Sequence, residues 1–275
     1  MNVLDFKKRK KSGQKISMVT VYDYTSACIA ARADIDVLLV GDSAAMTMHG
    51  FASTLPATIE MMELHSASVA RAVQAQSASS LNDAQKTKKF VVADLPFLSY
   101  RKDLRANVEA AERLMRTGAH AVKLEGAVGN EDFVRHLVES GVPVMGHIGL
   151  TPQSVHQLGG FRVQGREVSD AERLLAAARS LEEAGAFSIV LECVPSALAR
   201  QITQNLSIPT IGIGAGPDTD GQVLVWQDLL GLNTEFRPRF VRSYCAGAEI
   251  FTQALNSYAR DVSSGAFPSL KESYE

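Results

Sequence analysis

FVVADLPFLSYRKDLRANVEAAERLMRTGAHAVKLEG (90–126) reads as a strand, a helix and a second strand. FVVADLP (90–96) and HAVKLEG (120–126) are short apolar runs rich in β-branched residues. Between them, NVEAAERLMRTGA (107–119) places apolar residues three and four apart and runs out at a Gly, the pattern of a helix with its C-cap. Each strand also ends on charge: Asp94 on the first, Lys123 and Glu125 on the second.

The same unit recurs in both directions. Further strand-like runs are SMVTV (17–21), DVLLVGD (36–42), VPVMGHIG (142–149), FSIVLEC (187–193), PTIGIGAG (209–216) and QVLVW (222–226), and DAERLLAAARSLEEAGA (170–186) is another periodic helix. Strand and helix alternating about eight times in one chain predicts a (β/α)₈ barrel. We read 1–275 as a single barrel domain with a short N-terminal helix and a C-terminal helical extension. A doubly wound open sheet is the alternative, and the lack of a Gly-rich dinucleotide fingerprint after the first strand counts against it.

Composition narrows the class. The chain has 275 residues, 46% of them hydrophobic, and a formal net charge of −2. No basic excess is available to neutralise phosphates, so nucleic acid is not the expected partner. No stretch approaches the roughly 20 apolar residues that span a bilayer, and MNVLDFKKRKKSG lacks the apolar core of a secretory signal. Cys28, Cys193 and Cys245 have neither metal nor redox spacing and read as reduced thiols of a cytoplasmic protein. The basic run 7–11 reads as the solvated face of a short helix. The polar, Ser- and Ala-rich segment 75–89 reads as an extended loop or frayed helix end.

The strand ends carry the chemistry. Asp23 follows the first strand, Asp42 and Ser43 the second, Asp94 ends the third, Lys123 and Glu125 the fourth, His147 the fifth and Glu192 the sixth. In a barrel these ends form one face, the face where such folds place their active sites. Lys123 and Glu125 share a parity, as do Val190 and Glu192. Clustered carboxylates repel unless a cation joins them, and oxygen donors select a hard divalent ion such as Mg²⁺. Asp42 and Asp94 are the expected direct ligands and Glu125 a third, reached through water. For any one Asp, a helix N-cap is the competing reading.

Mg²⁺ with open positions chelates an α-keto acid, polarises the carbonyl and stabilises an enolate. Lys123 adds positive charge at the same oxygens, and Glu192, after an apolar strand, is the expected base. His147 is read either as a hydrogen-bond donor to the enolate or a ligand carboxylate, or as a structural residue. IGIGAG (211–216) is read as a phosphate cradle or as tight backbone packing. Cys193 has the opposite parity to Glu192 and no adjacent His, which argues against a nucleophile.

Several blocks go beyond any generic barrel: TVYDYTSA (20–27), VGDSAAMTMHGFASTLPAT (40–58), ADLPF (93–97), VKLEG (122–126), GHIGLTPQSV (146–155), GGFRVQGR (159–166), VLECVP (190–195), IGIGAG (211–216) and RPRFVRSY (237–244). In this order they resemble the ketopantoate hydroxymethyltransferase family over nearly the whole chain. The resemblance implies Mg²⁺, one per subunit, and hydroxymethyl transfer from methylenetetrahydrofolate to α-ketoisovalerate, giving ketopantoate for pantothenate synthesis. It implies Asp42 and Asp94 as metal ligands, Glu125 as a further metal-site carboxylate, Asp42, Ser43, Asp94 and Lys123 at the keto acid, and Glu192 as proton acceptor. It also implies a homo-oligomer, a decamer.

The chain departs from the family at Ala44-Ala45, where the related loop GDSLGM has a Gly, and in the greater length of 75–89. An Ala excludes backbone angles open to Gly, so a displaced loop is expected there. Two other functions share parts of this logic. One is a Mg²⁺-dependent lyase or mutase of the phosphoenolpyruvate type, which needs no folate. The other is a barrel that binds a keto acid without turnover.

Overall fold

The apolar runs become eight parallel strands in this computed structural model, which describes residues 1–79, 89–235 and 238–274. In chain order the elements are α1 (Val3–Ser12), β1 (Ile16–Thr20), α2 (Tyr24–Arg32), β2 (Val37–Val40), α3 (Ala44–Thr47), α4 (Ile59–Ser79), β3 (Phe90–Asp94), α5 (Leu104–Arg116), β4 (Ala121–Glu125), α6 (Glu131–Glu139), β5 (Val144–Gly149), α7 (Val155–Leu158), α8 (Val168–Glu183), β6 (Ser188–Glu192), α9 (Ser196–Asn205), β7 (Thr210–Ile213), β8 (Gly221–Leu224), α10 (Trp226–Leu229) and α11 (Gly247–Ser264). Strands pair in sequence order and β8 returns to β1, with Ile16 opposite Gly221. The expected (β/α)₈ barrel is the fold observed.

Alternation along the strands decides what fills the barrel. Ile16, Met18, Val37, Leu39, Phe90, Val92, Ala121, Met145, Val190, Ile211 and Val223 pack into one buried apolar cluster. The intervening residues of β3, Val91 and Ala93, are equally buried and belong to the other parity, as expected of parallel strands covered on both sides. The helices supply that cover. In α5 the buried residues Ala110, Ala111 and Leu114 form the inward stripe, and Asp103 caps its start by accepting from the Ala106 N–H at 2.9 Å. In α8 the stripe is Leu174, Ala178 and Leu181.

One end of the barrel is closed by α1. Phe6 is fully buried and meets Phe90 and Phe187 edge to face, with ring centroids 5.2 and 4.8 Å away. Arg9 pairs with Asp36 at 2.6 Å, and Lys10 with Asp220 at 2.8 Å while also donating to the Thr203 carbonyl. The basic run is therefore only partly a solvated face. Lys7, Lys8 and Lys11 are exposed, while Arg9 and Lys10 tie the helix to the strand starts.

Of the segment 75–89, residues 75–79 continue α4, and Lys89 is buried with its ammonium donating to the carbonyls of Ala33 and Ile35. Residues 80–88 lie outside the described residues.

The chain divides into two compact units, Met1–Leu224 and Val225–Glu275. The second holds α10 and α11, joined where the Leu230 carbonyl accepts from the Gly247 N–H at 2.9 Å. Phe251, Leu255, Tyr258 and Val262 form an exposed apolar stripe at four- and three-residue spacing along α11. None of the described helices is long and apolar enough to cross a membrane.

Candidate active site

At the other end of the barrel, the parity that buries Phe90 and Val92 continues to Asp94, and that of Ala121 to Lys123 and Glu125. Met145 is followed two residues later by His147, and Val190 by Glu192. Strand register sets these ends side by side: Asp94 lies opposite Lys123, and Glu125 opposite His147. Asp42 reaches the group from just beyond β2, where its backbone N–H donates to Asp94 Oδ2 at 3.2 Å. Asp42, Asp94, Lys123, Glu125 and His147 are all buried, and Glu192 is partly exposed.

Lys123 Nζ stands 2.8 Å from Asp94 Oδ1, an ion pair without hydrogen-bond alignment, which leaves Asp94 Oδ1 buried and without a hydrogen bond. His147 lies between two carboxylates. Its Nδ1 is 3.3 Å from Glu125 Oε1 and its Nε2 is 3.2 Å from Glu192 Oε2. These contacts too are ionic rather than aligned hydrogen bonds.

Electrostatics follow from that packing. Burial pushes the Asp42 carboxyl well above its usual range, and Glu125 and Asp94 push the same way against Lys123 and Gln153. Asp94 is raised by burial, which outweighs the attraction of Lys123. Burial also pushes Glu125 upward, but His147 and Lys123 outweigh it and hold that carboxyl below its ordinary value. Burial and Lys123 depress His147, yet Glu125 and Glu192 prevail and lift it to about 9, so the ring is an imidazolium near neutrality. For Lys123, burial favours the neutral amine, and Asp94, Glu125 and Asp42 overcome it and keep the ammonium. Fully ionised, the group carries four carboxylates against two cations, an excess that a cation relieves.

The residues fit a hard divalent ion. Among the described residues no three acidic, His or Cys side chains close on one point as a ready-made cage. Mg²⁺ does not need one, since it takes one or two carboxylates and keeps its other positions for water and substrate.

One expectation needs adjustment. Asp23 does not join the group: it caps α2, its carboxylate accepting from the Ser26 N–H at 2.9 Å. The N-cap reading of a strand-end Asp is right there and not at Asp42 or Asp94. Ala44 and Ala45 do not strain the loop, because they begin the helical turn α3, a conformation in which Ala is at ease. Both are fully buried. Ser43 precedes that turn, its hydroxyl 2.7 Å from the Tyr22 hydroxyl.

Backbone at the mouth is tightly drawn. Gly149 has φ 96°, and a Cβ there would stand 2.2 Å from the Glu192 carbonyl, which accepts from the Leu150 N–H at 2.8 Å. Cys193 takes φ 47°, rare for a residue with a side chain. Burial and Glu192 push its thiol up to about 12, so it is no thiolate nucleophile. In IGIGAG, a Cβ on Gly216 would stand 2.5 Å from that of Ser196, which favours the tight-packing reading.

Sequence reasoning passed over two neutral residues, Gln153 and Tyr100. Gln153 lies in a one-turn 3₁₀ helix after β5 and bonds to Asp42, Leu95, Tyr100 and Glu125. The block GHIGLTPQSV contained it, but an amide carries no charge to mark it out.

Comparison with known proteins follows the same direction. The family model for ketopantoate hydroxymethyltransferase matches residues 1–270. The 3-methyl-2-oxobutanoate hydroxymethyltransferase of Bdellovibrio bacteriovorus is 57% identical over 272 residues, 99% of this chain and 98% of that one. The enzyme of the same name from Legionella pneumophila (strain Lens) is 52% identical over 275 residues, with full coverage of both. Among solved structures, a phosphonopyruvate hydrolase crystallised with oxalate and Mg²⁺ is similar, with TM-score 0.60 and 11% identity over 99% of this chain and 93% of that one. At that identity the likeness is one of fold.

Proposed function

The chain belongs to the ketopantoate hydroxymethyltransferase family, and from that premise we propose that it transfers a hydroxymethyl group from methylenetetrahydrofolate to α-ketoisovalerate with Mg²⁺ bound. The product, ketopantoate, serves pantothenate synthesis. The observation that carries the mechanism is the ring of Asp42, Asp94, Lys123, Glu125, His147 and Glu192 at the barrel mouth, with its excess of negative charge.

Asp42 and Asp94 would hold the metal directly. Both Glu125 oxygens are engaged, one beside His147 and one by the Gln153 N–H, so Glu125 acts on the metal through water. Bound there, Mg²⁺ supplies Lewis acidity to the keto oxygen. Lys123 is held as an ammonium among three carboxylates and places positive charge beside the substrate's oxygens. Ser43 contacts the keto acid from the start of α3. Glu192 removes the C3 proton, and C3 then bonds to the methylene carbon of the folate. The two C–N bonds of that carbon break, water supplies the hydroxyl oxygen, and the C3 proton and a proton from water leave on the nitrogens of tetrahydrofolate. His147 holds Glu192 in place from the opposite side to Glu125. The protein is read as cytoplasmic, supported by its free cysteines, and as a homo-oligomer, supported by the apolar stripe on α11; the decamer is what the family resemblance implies.

Deuterium exchange at C3 of α-ketoisovalerate, followed by NMR with and without Mg²⁺ and then with methylenetetrahydrofolate, tests the reading. Metal-dependent exchange followed by ketopantoate formation is expected. Glu192→Gln should slow the exchange about 10²- to 10⁴-fold. Exchange without product would keep the enolate chemistry and remove the folate. No exchange in folded protein with metal present would overturn the assignment of the site.

A further inference from the structure

We propose that Gln153 is a positioning residue whose carboxamide, oriented by Tyr100, sets the Asp42 carboxylate for the divalent cation. The inference rests on the metal reading above and adds to it a neutral residue that ties the ends of four strands together.

Gln153 is buried, and its amide is matched on every side. Nε2 donates to Asp42 Oδ2 at 2.8 Å and to the Leu95 carbonyl at 3.0 Å. Oε1 accepts from the Tyr100 hydroxyl at 2.7 Å. That hydroxyl in turn accepts from the Glu125 N–H at 3.2 Å. The backbone N–H of Gln153 donates to Glu125 Oε2 at 2.9 Å. One residue thus links the loop after β2, the end of β3, and both the backbone and the side chain of Glu125 on β4.

The amide can sit only one way round. Turned over, Oε1 would face the Leu95 carbonyl, an acceptor with nothing to give, and Asp42 in the ionised form that a cation requires. The Tyr100 hydroxyl receives the Glu125 N–H and has two acceptors for its single proton, Oε1 at 2.7 Å and the Glu125 carbonyl at 3.3 Å, and the shorter contact favours Oε1. Asp42 needs such a support. It lies beyond β2, outside the strand ladder, so pairing with a neighbouring strand does not hold its side chain. Tying Oδ2 to Gln153 fixes the plane of the carboxylate. A neutral amide does this without adding charge to a site that already has too much of one sign. Partners of this kind typically change metal affinity 10- to 100-fold.

The test measures Mn²⁺ binding directly by electron paramagnetic resonance, alongside native circular dichroism. Gln153→Met keeps the length and removes both donors and the acceptor, and should weaken Mn²⁺ binding about 10- to 100-fold. Tyr100→Phe removes only the hydroxyl that orients the amide, and should weaken binding by a smaller factor in the same direction. If Gln153→Met fails to fold, Tyr100→Phe decides the matter alone. Affinity within about twofold of wild type in folded variants would overturn the role of Gln153 while leaving the metal site standing. Failure of the wild-type protein itself to bind Mn²⁺ would overturn the metal reading and the inference with it.

Discussion

At the closed end of the barrel Arg9 meets Asp36, Lys10 meets Asp220, and the rings of Phe6, Phe90 and Phe187 pack edge to face. At the open end four carboxylates share Lys123 and His147. Both ends are built from the same strands, with the same alternation of side chains. One has matched charge and an apolar plug, which is what stability requires. The other holds buried like charges, which cost stability and which, on the function proposed above, serve a ligand that cancels them. Substitutions at the two ends should therefore separate function from folding.

The largest effect is expected at the open end. Asp94→Ala should lower turnover by about a thousandfold, comparable to the loss of a principal electrostatic group in other active sites. Its thermal midpoint should fall by less than that of Phe6→Ala, since the Lys123 ammonium loses one partner but keeps Glu125 and Asp42, and the repulsion among the carboxylates is relieved. A large fall in the midpoint with turnover per folded molecule intact would break the comparison at once.

Phe6→Ala should do the reverse. Emptying the plug between Phe90 and Phe187 should cost about 3–5 kcal/mol of stability. Turnover of the molecules that remain folded should stay near the wild-type rate, as read from activity normalised to native circular dichroism. A matched loss of turnover would mean that the two ends are coupled through the barrel interior.

A smaller effect, with a definite sign in pH, is expected from Asp36→Asn. Burial works against the Asp36 carboxylate, but Arg9 and Ser17 outweigh it and hold its pKa below the ordinary 3.8. A carboxyl depressed in the folded state contributes stability above the unfolded value and loses it as pH falls through the folded one. Asp36→Asn should therefore lower stability by about 1 kcal/mol at neutral pH. The gap from wild type should narrow steadily below about pH 4 in acid denaturation curves. A constant gap down to the acid limit would show that the ion pair is not its source.

Much of the site was legible because strand ends carry charge in a period-two register. Lys123 and Glu125 share a parity with buried Ala121, and Glu192 with Val190, and any β-strand makes those relations visible. Asp23 shows where that legibility stops. A carboxylate after a strand in this fold also stands before a helix, so one position in the chain serves as an active-site donor or an N-cap. Asp23 turned back to the Ser26 N–H, whereas Asp42 turned to Gln153. Nothing local in the sequence separates the two. Likewise, a run of basic residues looks solvated until Asp36 and Asp220, distant in the chain, come to meet Arg9 and Lys10.

By itself, then, the sequence determined the strands, the helices and the parity of the charged ends, because side-chain alternation and helical periodicity are local. Tertiary structure alone decided which of those ends meet. Barrel closure sets the stagger between strands, and the stagger brings Glu125 opposite His147 and lets Gln153 reach Asp42, 111 residues away in the chain.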